Sequence, residues 1–164
     1  MRHGGMNAAT RPVHRNGIVY LSPGDAGPST LVAVKTTGSG ILGDDGVAWS
    51  VKSGTAKRPS FIVSDDMLFM VTDDGIAKCY DAESGKRIWQ KRLGGNFRSS
   101  PIISNGKIFC FDLKGKAYVF EAAKRFKLIA ENELENGCQA SPAVLGNSLI
   151  VRTTKDLYRF EQSD

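Results

Sequence analysis

Six residues, Gly38-Ser39-Gly40-Ile41-Leu42-Gly43, satisfy the G-x-G-x-x-G spacing with which a tight glycine turn brings backbone N–H groups to a pyrophosphate. That chemistry also needs a helix whose N-terminus faces the phosphates. Here Asp44-Asp45-Gly46 and a short β-rich run carrying Trp49 follow instead, so the segment reads as a loop between strands. The acidic pairs Asp44-Asp45, Asp65-Asp66 and Asp73-Asp74 offer the carboxylate oxygens that calcium takes. Each pair stands at a turn signal, however, where Asp bonds to its own backbone. Ligands for zinc or copper are sparse: His3 sits in the N-terminal stretch, His14 is alone on a predicted strand, and Cys79, Cys110 and Cys138 contain no C-x-x-C pair. Nucleophilic catalysis needs a Ser or Cys with a base and an orienting group, and neither histidine stands in such a pattern. An odd cysteine count leaves at least one thiol free or intermolecular, and Cys79 and Cys110 read as small apolar core residues. No catalytic, cofactor-binding or metal residue is assigned on these grounds.

The elements that position these residues follow from composition and periodicity. With 164 residues, 41% of them hydrophobic and 24% charged, the chain is a globular domain able to bury a core. The net charge of +5 comes from 22 basic and 17 acidic residues scattered along the chain, with only short clusters such as Lys124, Arg125 and Lys127. A nucleic-acid footprint gathers its basic residues on one face among exposed aromatics, so no nucleic-acid partner is expected. No apolar run approaches a membrane span, and residues 1–10 lack the apolar stretch of a secretory signal. Taken as a true N-terminus, that start predicts retention in the cytoplasm. As an internal start it says nothing of compartment.

One unit occurs four times: a proline, a short apolar run, a polar turn with Gly or Asp, then β-rich runs. Pro12, Pro59, Pro101 and Pro142 anchor it, at spacings of 47, 42 and 41 residues, the period of a four-stranded propeller blade. The second unit is the clearest, with strands over 60–63, 67–72, 76–81 and 87–93, separated by Ser64-Asp65-Asp66, Asp73-Asp74-Gly75 and a turn over 82–86. The third repeats it over 102–103, 107–112, 117–121 and 127–131, with Ile129 replacing Trp89. The first ends in Trp49, its extra length lying in loops 23–29 and 36–46, and the fourth lacks an outer strand. No segment keeps helical periodicity for ten residues, so the expected fold is all-β, about fifteen strands in four blades over 12–58, 59–100, 101–141 and 142–161, after a loose N-terminus at 1–11.

The stretch A-K-C-Y-D-A-E-S-G-K-R-I-W over 77–89 resembles the tryptophan-docking motif of the PQQ-like (pyrroloquinoline-quinone-like) β-propeller repeat family, of the quinoprotein alcohol dehydrogenase-like superfamily. In that motif Asp81 and Gly85 match the turn, and Trp49 and Trp89 match the indole that packs between blades. The Ser-Pro steps at 100–101 and 141–142 match the inner strand of the repeat, and 141–161 resembles the closing strands of exported bacterial members of unassigned function. The resemblance implies a ring of seven or eight blades in complete members. This chain supplies about half, so an incomplete propeller needs missing N-terminal blades, self-association or a tight closure that covers its ends.

The resemblance also implies three functions. One is a non-catalytic scaffold for protein or peptide binding, as in an outer-membrane assembly lipoprotein of this fold. Another is a fragment of a quinoprotein dehydrogenase holding PQQ and Ca²⁺, although no adjacent cysteine pair or ligand constellation is recognisable. The third is an incomplete product with no activity of its own. Exported relatives imply a periplasmic location if the N-terminus is truncated. The long loops of the first unit, with Asp25, Ser39, Asp44 and Asp45, are the expected contact surface.

Overall fold

The structure is a computed structural model and describes residues 9–22 and 30–161. Among the described residues fifteen strands form four antiparallel sheets, each a meander in chain order. Blade one contains β1 (Val13–Arg15), β2 (Ile18–Leu21), β3 (Leu31–Lys35) and β4 (Val47–Val51). Blade two contains β5 (Ile62–Ser64), β6 (Met67–Val71), β7 (Ile76–Asp81) and β8 (Arg87–Arg92). Blade three contains β9 (Ile102–Ser104), β10 (Lys107–Phe111), β11 (Lys116–Glu121) and β12 (Leu128–Glu133). Blade four has three strands among the described residues, β13 (Ala143–Leu145), β14 (Ser148–Arg152) and β15 (Leu157–Glu161). Among the described residues no helix is long and apolar enough to cross a membrane.

Local chemistry dictates these hairpins. Asn16-Gly17 and Asn105-Gly106 both carry positive φ at the two central positions, the turn whose twist matches paired strands. At Gly75 a side chain is excluded by space as well as by φ, because a Cβ would stand 2.2 Å from the carbonyl oxygen of Gly94. The linker from blade two to blade three crosses there, with Leu93 N–H donating to Gly75 O and Phe97 N–H to Asp73 O.

Side chains alternate between the two faces of each sheet. In blade two, Ile62, Phe69, Cys79 and Trp89 lie in one cross-strand row and pack on blade three. Val63, Leu68 and Tyr80 lie on the opposite face and pack on blade one. All of β6 is buried, whereas β8 is mostly exposed, so burial falls from the inner strands outward. Three apolar clusters join blade one to two, two to three and three to four. Among the described residues no such cluster joins blade four back to blade one, and the sheets form an open arc.

Three sequence expectations need correction. Pro12, Pro101 and Pro142 each immediately precede a first strand, but Pro59 lies three residues before β5, and Phe61 holds the equivalent place. The first strands therefore repeat at 49, 40 and 41 residues, and the proline spacing only approximates them. Ile129 does not replace Trp89. Every complete blade has a bulge between its third and fourth strands, and past it Trp49 faces Ala33, Trp89 faces Cys79, and Ala130 faces Val119. The blade-three turn is one residue longer than that of blade two, which moves the register by one and turns Ile129 to solvent. The segment 1–11 is not loose throughout: Thr10 is buried with its hydroxyl donating to Ser22 O at 3.3 Å, and Arg11 N–H donates to Ser60 Oγ. Its first eight residues, with His3, lie outside the described residues, as do 23–29 with Asp25.

All three cysteines are unpaired and buried. Burial pushes the Cys79 thiol up to about 12 and raises those of Cys110 and Cys138, so the reactive thiolate is suppressed. Native protein at pH 8 is expected to leave a disulfide-exchange reagent unreacted over minutes, with three thiols per chain released on unfolding in urea. A native thiol reacting at the rate of free cysteine contradicts this.

Candidate binding surfaces

Trp49, at the end of blade one, reaches across to the turn between β7 and β8. Its Nε1 donates to Ala82 O at 3.0 Å, an oxygen that also accepts the Tyr20 hydroxyl at 3.0 Å. The turn is shaped to receive the ring. Asp81 Oδ1 accepts the Ser84 N–H at 2.8 Å and the Ser84 hydroxyl at 2.6 Å, and Gly85 has φ +70°. A Cβ on Gly85 would stand 2.5 Å from the indole. Trp49, Asp81 and Gly85, singled out separately along the chain, thus meet at one junction. Trp89 repeats the contact, its Nε1 donating to Ala123 O at 2.9 Å. Blade three has no glycine in that turn. Phe126 lies there and meets Trp89 edge-on at 5.2 Å between ring centres.

The first strands line the axial side of the arc. Arg11 N–H donates to Ser60 Oγ, Ser60 N–H to Ser100 Oγ and Ser100 N–H to Ser141 Oγ, each at 2.9 Å. One bond between successive blades, repeated in one direction, ties the inner strands into a chain. Sequence reasoning missed this role. Its trace was the Ser-Pro steps at 100–101 and 141–142. Beside these bonds runs an open groove of about 590 Å³, lined by Arg11, Phe61, Ser100, Pro101, Ile103 and Pro142 among others. Its walls mix half-buried apolar side chains with serine hydroxyls and Arg11 and have no carboxylate, and Phe61, Pro101 and Pro142 lie buried beneath them. Pro59 is buried away from it.

Ser39, Asp44 and Asp45 lie on loop 36–46 of blade one, away from the groove lining. A short 3₁₀ turn at Asp44–Gly46 closes that loop, and the Lys35 ammonium donates to Asp45 O at 3.4 Å. Ile41, at 97% exposure, leaves an apolar side chain on its tip. Among the described residues, no three His, Cys, Asp or Glu side chains come together in a way that could hold a metal ion.

Four-stranded meanders joined by indole-to-turn contacts define this as a run of β-propeller blades of the PQQ-like kind. A family model described as "Outer membrane protein assembly factor BamB" (PQQ_2) matches residues 29–128, and the chain belongs to that family. It is 25% identical over 113 residues to the outer membrane protein assembly factor BamB of Burkholderia pseudomallei (strain K96243). That match covers 66% of this chain and 28% of that protein, so the chain spans little more than a quarter of this curated relative. The crystal structure of BamB from Moraxella catarrhalis is similar at a TM-score of 0.70 and 12% identity, over 93% of this chain and 42% of that one. The computationally designed Ika4 protein is similar at 0.73 and 12%, over 99% and 94%. A europium-containing methanol dehydrogenase is similar at 0.61 and 13%, over 77% and 24%. At these identities the structural likeness is one of fold.

Two outcomes follow from the docking geometry. Gly85→Ala is expected to cost about 2–4 kcal/mol in urea unfolding, from a positive φ together with overpacking against Trp49. A cost below about 0.5 kcal/mol would place the ring elsewhere. The hydrogen bonds from Ser84 hold the Asp81 carboxyl below its ordinary range. Stability from Asp81 is therefore present above the ordinary carboxylate pKa and is lost as pH falls through the depressed value. The stability gap between wild type and Asp81→Asn should be full at pH 7 and close in acid. A gap that persists unchanged there would contradict the bond.

Proposed function

We propose that the chain is a non-catalytic propeller scaffold that binds an extended segment of a partner protein along its axial groove. The observation that carries this reading is the groove itself, a continuous surface on which Val13, Val63, Ile102 and Ile103 stand half-buried beside Arg11 and the serine hydroxyls, built from four blades at once. An extended segment alternates apolar and polar side chains, and such a surface offers both kinds of contact along its length. Relatives named as outer membrane protein assembly factors support a protein partner and a location outside the cytoplasmic membrane. Three buried, weakly acidic thiols suit an oxidising compartment, since they resist oxidation.

The likeness to a methanol dehydrogenase favours a second reading, a fragment of a quinoprotein enzyme. Calcium with a quinone would need hard oxygen ligands. The groove lining supplies no carboxylate, and three of its hydroxyls already accept inter-blade hydrogen bonds. These residues do not fit that group. Leu145 and Leu157 of blade four are 69% and 73% exposed, and β15 has no strand on its outer side among the described residues. In the working assembly these apolar surfaces are covered, by further blades or by a second copy.

The test is fluorescence anisotropy with a labelled twelve-residue peptide of alternating polar and apolar residues. Saturable binding, weakened about tenfold by the exposed groove variant Ser141→Arg, is expected. No saturable binding, or equal binding by the variant, overturns the reading.

A further inference from the structure

Two of the three junctions between blades hold an indole, and the third does not. Trp49 packs on Tyr20 at 5.8 Å between ring centres, and Trp89 on Phe69 at 6.1 Å. In blade three the same cross-strand row reads Phe109, Val119, Ala130. The outer strand of blade three is present and in register there, with Ala130 at the indole position, while blade four has no fourth strand among the described residues.

This junction leaves apolar surface bare. Leu68 and Tyr80 in blade two, and Ile108 and Phe120 in blade three, face a junction that contains an indole and are 0–3% exposed. Their counterparts facing the Ala130 junction are Leu149 and Phe160. Leu149 is half-buried, Phe160 is 42% exposed, and Val144 beside them is 45% exposed. Between the blades lies an open slot of about 230 Å³ lined by Phe109, Val144, Leu149 and Phe160, with Lys107 and Glu161 on its rim.

We propose that this slot takes a tryptophan side chain carried by an extended segment of a partner protein, entering where Trp49 and Trp89 sit at the other two junctions. The inference rests on the reading of the chain as a protein-binding scaffold and names the side chain it grips. The slot is smaller than the pockets that enclose whole small-molecule ligands, and its size suits one ring system. Ring contacts with Phe109 and Phe160 supply the attraction, while the Glu161 carboxylate, whose Oε1 already accepts from the Ser148 hydroxyl and the Arg159 guanidinium, keeps Oε2 as an acceptor for the indole N–H. The slot continues the blade three to four cluster of Phe111, Ala117 and Val151, so a ring placed there extends a core already formed.

The test uses isotope-labelled protein and three unlabelled probes: the peptide acetyl-Gly-Ser-Trp-Ser-Gly-amide, its counterpart with Ala in place of Trp, and free N-acetyltryptophanamide. The Trp peptide is expected to shift resonances of Val144, Leu149 and Phe160 saturably. The Ala peptide should not, and the free amide should bind at least threefold more weakly. Ala130→Trp, which places an indole at the register position of Trp89 next to Phe109, is expected to raise Tm and weaken the Trp peptide at least tenfold. Val144→Glu, at an exposed position, should weaken it about tenfold by charging the wall, and does not depend on Ala130→Trp folding. Shifts centred elsewhere, equal binding of the Ala peptide, or undiminished binding by a folded variant overturn the slot. Equal affinity for the free amide overturns the partner segment. Binding of the alternating peptide without the Trp peptide sinks the slot alone, and the reverse sinks the groove reading alone.

Discussion

Each of these sheets has two apolar faces and too few strands to bury either by itself. Everything else in the structure follows from the need to stack the sheets face to face at a fixed spacing. The indole-to-turn contact sets that spacing at the outer edge of the arc. Trp49 and Trp89 each cross from the last strand of one blade to the third hairpin of the next and donate a hydrogen bond to its backbone. A large buried ring contributes about 1.5–3 kcal/mol through area alone, while the bond fixes where the ring lies. The axial edge is held by a different device, the serine hydroxyls that accept one backbone N–H from each preceding blade. Between the two run the apolar rows of Phe, Cys, Tyr and Ile residues.

The same construction produces the two surfaces proposed to bind. First strands brought side by side make a groove that no single blade contains, and its hydroxyls stand at regular intervals because the repeat places them there. A departure from the repeat makes the other surface. With Ala130 at the indole position, blades three and four share the core of Phe111, Ala117 and Val151 and leave Phe160 and Val144 in solvent.

Much of this is legible in the residues. Turn signals such as Asn16-Gly17 and Asn105-Gly106 mark hairpins because few other pairs tolerate positive φ at both positions. The D-A-E-S-G-K turn and its two tryptophans announce inter-blade docking, and blade four is visibly short of a strand. Less legible are features that depend on register. Phe61 takes a place that proline holds elsewhere, and the nearby Pro59 supplies a plausible but displaced anchor. Ala130 is hidden because a single extra residue in the preceding turn offsets the count, making Ile129 look equivalent to Trp89. The serine chain leaves only the Ser-Pro steps as a trace, since its bonds join residues 40 to 49 positions apart whose proximity exists only once the blades are stacked. The acidic pairs and the glycine-rich loop, conspicuous in the sequence, end at turns and on a blade-one loop outside the groove.

The most direct measurement of the central claim, that junctions rather than sheets hold this fold together, is native-state hydrogen exchange resolved strand by strand. Amides of β6 and β10, in the blades flanking the Trp89 junction, should exchange only through the largest opening. Those of β14 should exchange with lower protection, because the blade-four junction lacks an indole. Equal protection in all four blades, or the greatest protection in β14, would contradict the claim and show that each sheet is held by its own strands.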